Sequence, residues 1–518
     1  MYVTILIFLL ISFTCNAKHL HPELQTVLND KLSNERDTSY WEEIGLKVVD
    51  DHVNLKRNMK IAKNVILFLG DGLSVNTITA TRSYINKNMN EHLNFEKFPY
   101  TGMAKTYCVD KQTSDSACTA TAYFCGVKSN YDMIGVRANV KLGDCDAAQI
   151  KENQTPSIGK WALDAMKVVG FVTTSSVTDA SPVGLYGHTS NRNWENDSDV
   201  IRGNCSSDTT PDIAKQLIRG EVGSKMKVIM GGGRRQFRPN TTLDEEVIGA
   251  YGARLDGVDL IEEWKQSKKS SGQYVWNRKQ LMEFNANNAD YLLGLFDYNN
   301  MMYHLETLVE GVDRQEPSLA DMTSKAIDVL SKEREGYFLF VEGGNIDSAH
   351  HDNYATIALD ETAEFAKAIQ VALDKVNIEE TLIVVTADHS HVMSFTGYPE
   401  RTSDILGLVG TPAEDGFDQM ILSYANGLGY NLHRNKEGRV DPSLYEHYFK
   451  LPYPSTIPRR SETHGGEDVS IYAIGPWSHL FTGTLEQHTI PHFMAHASCI
   501  GPGTWTCFSN EMKNNKLK

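Results

Sequence analysis

What most constrains this chain is a set of six short apolar runs with acidic residues gathered at their ends. They are VILFLGDG at 65–72, VVGFVTTSSVTDASP at 168–182, MKVIMGGG at 226–233, YFLFVEGGNID at 337–347, TLIVVTADHSH at 381–391 and VSIYAIG at 469–475. Such runs, alternating with helical segments, predict an α/β fold: a large, mostly parallel central sheet covered by helices on both faces. In a parallel sheet the strand C-termini open on one edge, where ligands bind. Asp71, Asp179, Glu342 with Asp347, and Asp388 with His389 all lie at or just after predicted strand ends. A lone Asp there is ordinarily a turn former or a helix cap. Four such places with interleaved histidines point instead to one chemical edge.

Net charge sharpens this. At −16, the charge of this chain of 518 residues argues against a general affinity for nucleic acid or anionic membrane surfaces, since both need a basic face. An acidic protein that handles anions must concentrate positive charge locally, and bound metal ions do so most compactly.

Residues 1–17, MYVTILIFLLISFTCNA, are too short and too N-terminal for a membrane span and close on Cys15-Asn16-Ala17, which predicts a signal peptide cut before Lys18. Sequons at Asn153, Asn196, Asn204 and Asn240 fit a secreted glycoprotein. Of eight cysteines, one lies in the leader, so an odd number remains. Cys499 and Cys507 enclose a short Gly/Pro loop suited to a bridge. The tail 508–518 is polar and lacks the apolar stretch of a lipid-anchor signal, so a soluble product is expected. Residues 18–59 read as a charged helical arm, 60–396 with 463–507 as the α/β body, and 397–462, rich in Gly, Pro and Tyr, as an insertion on the ligand-binding edge.

Asp347 and His351, four apart in NIDSAHH, share a face if a helix begins there and can share an ion. Mixed His and carboxylate donors suit zinc, while Glu342 with Ser181 offers the carboxylate and hydroxyl that suit magnesium. Ser116 opens a small-residue helix in TSDSACTATAYFCGV, where free N–H groups and the dipole favour a phosphate. No His base is evident beside it, so a zinc ion would have to stabilise its alkoxide. Arg192, in HTSNRNW, could grip two phosphate oxygens through its planar fork.

FLGDG, DSACTATA, ASPVGLYGHTSNRNW, GGGRRQF, RLDG, YVWNR, FVEGGNIDSAHH, VTADHSHV and THGGEDV stand in one order from about residue 60 to Cys507. In that order the chain resembles the alkaline phosphatase family, of the animal type. The resemblance implies a first zinc on Asp347, His351 and His464, and a second on Asp71, Asp388, His389 and the Ser116 oxygen. Asp71 would bridge to a magnesium completed by Glu342 and Ser181. Arg192 would bind phosphate, and His391 would stand near the second zinc, behind its ligands. It further implies hydrolysis of phosphate monoesters through a phosphoserine on Ser116, a homodimer embraced by the 18–59 arm, a crown-like role for 397–462, and a Cys125–Cys205 bridge. Cys108, Cys118 and Cys145 would then be free, with Cys118 packed as a small hydrophobe. A calcium site would use the Phe296 carbonyl, Asp297, Glu316 and Glu245 or Glu246. Two positions depart from the pattern: Asp179 and Ser348 stand where animal members usually carry His. Asp179 resembles bacterial members and implies a magnesium site that binds and exchanges differently. A phosphodiesterase or sulfatase on a related metal edge, and an inactive secreted scaffold of the same fold, remain as alternatives.

Overall fold

The computed structural model describes residues 34–507 except 88, 310–315 and 447. The expected leader at 1–17, the first part of the arm and the tail at 508–518 lie outside the described residues.

Ten strands form the central sheet: β1 (Asn64–Gly70), β2 (Tyr100–Lys105), β3 (Val168–Ser176), β4 (Val228–Gly232), β5 (Gly272–Val275), β6 (Tyr291–Leu295), β7 (Tyr337–Gly343), β8 (Thr381–Ala387), β16 (Val469–Ile474) and β17 (Gly483–Glu486). Their order is β17-β2-β16-β8-β1-β7-β3-β4-β6-β5. Pairing is parallel except where β16 meets β8 and β2. The six apolar runs are the contiguous centre of this sheet, where strands such as β1, β7 and β8 are buried on both faces.

Eight helices matter below: α1 (Thr38–Val53), α2 (Val75–Asn86), α3 (Ser116–Cys125), α4 (Ala180–Tyr186), α5 (Leu319–Leu330), α6 (Asn345–His351), α7 (Ala355–Lys375) and α8 (Ile490–Ser498). Every residue of α3 is buried, because Ala and Thr let it press on its neighbours. A Cβ added at Gly184 on α4 would stand 2.7 Å from Ala120 Cβ, so only glycine permits that approach. The helix stops at Gly126, whose φ of +73° closes it in the left-handed region.

Past β8 the chain forms a smaller unit. The strands β9 (Ser390–His391), β10 (Met393–Phe395), β11 (Leu422–Gly427), the pair β12 (Arg434–Asn435) and β13 (Gly438–Arg439), β14 (Ser455–Pro458) and β15 (His464–Gly465) follow in order. β10, β11 and β14 make a three-stranded sheet, and β15 pairs with β9. A second core of Met393, Ile405, Met420, Leu422, Tyr424 and Tyr453 seats this unit on Ala80 of α2 and on Ala355 and Leu359 of α7. The unit thus sits over the strand ends, and β15 returns the chain to them.

The cysteines pair differently from the family-based expectation. Cys145 bridges Cys205, Cys108 bridges Cys118, and Cys125 is a buried free thiol. Cys125 ends α3 against the Gly184 carbonyl, inside the body, whereas Cys145 and Cys205 both lie beside the Gly143 carbonyl. Cys118 is therefore not a plain packed hydrophobe. The Cys499–Cys507 bridge is present. Asn204 and Asn240 are exposed and Asn153 is half-buried, but Asn196 is buried. Its amide donates to Asp199 and Gln236, at 2.7 Å each, so the folded chain does not present this sequon.

Candidate active site

Asp115 caps α3, its Oδ1 accepting from Cys118 N at 3.2 Å, and so delivers Ser116 at the helix start. Ser116 Oγ lies 3.2 Å from His389 Nε2. The other Asp115 oxygen accepts from Arg192 Nη1 at 3.1 Å, and Asp179 Oδ1 accepts from Arg192 Nη2 at 3.1 Å. Burial opposes the charge on Arg192, but Asp179 and Asp115 outweigh it and hold the guanidinium protonated. Asp179 also caps α4, accepting from Ala180 N at 2.7 Å.

The turn of α6 places Asp347 and His351 together, with Nε2 to Oδ2 at 3.4 Å, and His464 on β15 comes within 3.3 Å of Asp347 Oδ1. His351 Nδ1 donates to the Glu462 carbonyl at 2.6 Å, and His464 Nδ1 donates to the Ser114 carbonyl at 2.8 Å. The two Nε2 atoms then carry lone pairs and face each other at 3.1 Å. Two lone pairs at that distance repel unless something positive lies between them. His391 is different: Nε2 meets Asp347 Oδ1 at 2.6 Å and Nδ1 meets Glu462 Oε2 at 2.5 Å. Burial would lower its pKa, but Glu462 and Asp347 carry it up to about 10. Each ring nitrogen faces a carboxylate oxygen, so neither is turned to a metal, and the ring stands against Asp347 of the expected first zinc site, not beside the second as expected. Gly72 makes room for it, since at φ +69° an added Cβ would stand 2.3 Å from the His391 ring.

Beside this lies a second cluster. His389 Nε2 is 3.0 Å from Asp388 Oδ2 and 3.5 Å from Asp71 Oδ1. Both oxygens, and His389 Nδ1, are buried without a hydrogen-bonding partner. Ser181 Oγ donates to Asp71 Oδ2 at 3.5 Å, and Thr173 Oγ1 donates to Glu342 Oε2 at 2.5 Å. Burial, then repulsion from Asp388, Asp347 and Glu342, pushes Asp71 well above the usual range, while burial and then Asp347 carry Asp388 to about 6 against the opposing Gly72 N–H. Glu342 is pushed to about 8 by burial first, with Asp179 and Asp388 adding to it. Burial likewise lowers the His389 pKa, keeping the ring neutral. Partnerless buried oxygens, mutually repelling carboxylates and neutral histidines are the donor set of divalent cations, so the residues present fit them.

The remaining expectations are placed as follows. Glu246, Asp297 and Glu316 lie together as a third possible ion-holding group, and the Phe296 residue that leads into Asp297 is buried. Glu245 turns to Arg234 and Arg238 instead. Ser348 is half-buried on α6. Sequence reasoning missed Asp115, Thr173, Gln487 and Glu462. Asp115, directly before Ser116 in TSDSAC, was findable as a helix cap. Thr173, on β3, and Gln487, which donates to the Asp388 carbonyl at 2.7 Å, gave no local signal. Neither did Glu462.

The sequence profile described as alkaline phosphatase matches residues 62–500. A membrane-bound alkaline phosphatase of Bombyx mori is 46% identical over 489 residues, covering 92% of this chain and 88% of its own. The tissue-nonspecific isozyme of Gallus gallus is 41% identical, with 92% of each chain covered, and that of Homo sapiens 39% identical, with 95% and 93% covered. Among solved structures, the Thermus thermophilus alkaline phosphatase aligns with a TM-score of 0.62 at 20% identity, covering 86% of this chain and 93% of that one. This last likeness speaks to the fold.

Proposed function

The chain belongs to the alkaline phosphatase family and is a phosphatase hydrolase; from that premise we propose that it cleaves phosphate monoesters through a covalent phosphoserine on Ser116. The observation that carries this is the meeting of Ser116 Oγ and His389 Nε2 at 3.2 Å beside the partnerless oxygens of Asp71 and Asp388. Asp347, His351 and His464 would hold one zinc. Asp71, Asp388, His389 and Ser116 Oγ would hold a second, and Asp71, Glu342 and Ser181 a magnesium. Phe296, Asp297, Glu316 and Glu246 would hold a calcium away from the chemistry. When bound at the first three sites, such ions supply the positive charge that stabilises a serine alkoxide and a departing alcohol oxygen at neutral to alkaline pH.

The chain's own groups do the rest. Ser116 Oγ, its proton lost to solvent, attacks phosphorus, a new O–P bond forms, and the bond to the alcohol oxygen breaks with both electrons leaving on that oxygen, which takes a proton from water. Arg192, steadied by Asp115 and Asp179, grips two non-bridging oxygens as charge spreads over them. The N–H groups at the start of α3 face the same phosphoryl group. Water then cleaves the Ser116 ester and releases phosphate.

The domain division supports this reading: a body bearing the site, an insertion at 397–462 over it, and an arm at 18–59 for a second copy. Residues 1–17 support secretion. No described helix is long and apolar enough to cross a membrane. The Bombyx relative's name raises attachment at a membrane surface as the alternative, which fractionation of expressing cells would decide.

The test is hydrolysis of an aryl phosphate across pH. Chelator should abolish turnover, and Ser116→Ala should lower kcat/KM about a thousandfold or more. A diester or sulfate turned over faster than the monoester would overturn the assignment.

A further inference from the structure

We propose that Glu462 is the positioning residue of the first zinc site, the one that makes His391 a brace and leaves Asp347, His351 and His464 as the only donors. The proposal deepens the metal reading above and rests on it.

Glu462 is 2% exposed and uses its side chain and backbone on the same cluster. Oε2 faces His391 Nδ1 at 2.5 Å, and Oε1 accepts from Val392 N at 2.8 Å. Its carbonyl accepts from His351 Nδ1 at 2.6 Å, and its own N–H donates to the His351 carbonyl at 2.8 Å. One residue therefore fixes the ring of His351 from behind and the ring of His391 from the side. His464 follows two residues later, so the same stretch of chain also carries the third donor.

His391 is the group at stake. It stands close enough to Asp347 to be counted among four grouped donors, Asp347, His351, His391 and His464. Four protein donors make a closed, structural zinc site, whereas a catalytic site keeps one position open. The Glu462 carboxylate settles which it is. It binds one ring nitrogen of His391 and turns the other onto Asp347 Oδ1 at 2.6 Å, so that His391 orients a ligand without being one.

Both contacts need a polar side chain of this length. Val392 N is an obligate donor and takes one Glu462 oxygen, while the other oxygen faces His391 Nδ1. Leu, of similar length and without polar atoms, loses both contacts and leaves the ring of His391 unheld on that side.

The experiment is zinc binding by Glu462→Leu beside the wild-type chain, using a competing chelator, with cobalt(II) absorption as the report on the ligand set. The expected result is a 10- to 100-fold weaker hold on the first zinc, a changed cobalt spectrum, and activity restored by excess zinc. If Glu462→Leu does not fold, Glu462→Asp carries the test. It keeps the charge but draws it back by one methylene, and the same loss is expected. Either variant binding zinc as tightly as wild type, with the same cobalt spectrum, would overturn the proposal and leave Glu462 a structural residue. A wild-type chain that takes up no zinc would overturn the metal reading and this proposal together.

Discussion

Arg192 is held between two carboxylates, yet each terminal nitrogen of a guanidinium carries two N–H groups, so one on each stays free for a phosphate oxygen. Asp179 supplies one of those holds and also repels Glu342 and Asp71. Replacing it with His, the residue usual in animal members, should therefore act twice. Losing the partly exposed contact to Arg192 is worth about 1 kcal/mol, or roughly fivefold in KM for an aryl phosphate. Removing a negative charge beside Glu342 should change the magnesium concentration needed for full activity. Steady-state kinetics over a magnesium series on Asp179→His checks both, and unchanged KM and magnesium dependence would remove any special role for Asp179. Asp179, Arg192 and the metal-type donors were legible because each sits in a compact motif. Glu462 was not, because it acts on His391 and Val392, far away in sequence, from a stretch without periodicity.

Among the elements, α3 has the most demanding task, since its first residue is the proposed nucleophile. The Cys108–Cys118 bridge ties its first turn to the loop that precedes Asp115, and Asp115 Oδ1 binds the Cys118 N–H. Closing a loop of 10 residues restricts the unfolded chain by about 2–3 kcal/mol. A Cys108→Ala/Cys118→Ala double variant should lose that much in urea unfolding and bind inorganic phosphate more weakly as Asp115 loosens. An unchanged unfolding midpoint and inhibition constant would show the bridge to be idle. This bridge was hidden because family likeness transfers positions, and Cys125 and Cys205 match a bridged pair in position while Cys125 here points inward. The strands show a similar limit. The six central ones are apolar on both faces and could be read directly. The outer β2, β5 and β17 are partly exposed, and their mixed patterns gave no clear run.

At the scale of the molecule, α1 stands out from everything else: none of its residues is buried, yet Trp41 is 51% exposed, Leu46 71% and Val53 77%. Ile44, Val48 and Val49 add to the same exposed apolar set. Near its start, Glu35 binds Arg401 of the insertion, with one contact at 2.9 Å, and past its end Asn58 bonds to the Glu379 carbonyl and to Trp477 N, so the described arm is held on both sides of α1 while its apolar residues face water. Patches of this kind on a soluble protein mark association. A second copy of the chain is the occupant that the family resemblance implies. Two chains of charge −16 repel, so the contact must be driven by apolar burial rather than by charge. That fixes the sign of the salt effect: screening should strengthen the dimer or leave it unchanged, where an interface built on ion pairs would weaken. Sedimentation of the chain from Lys18 should give a dimer at low salt and in 0.5 M salt alike, where a contact near 10 Å spans about two Debye lengths. Removing residues 18–59 should give a folded monomer that keeps its zinc, because Asp347, His351, His464, Asp388 and His389 all lie in the body. A dimer that survives this deletion would place the interface elsewhere, and one that dissolves in salt would show that charge, not the apolar arm, holds the copies together.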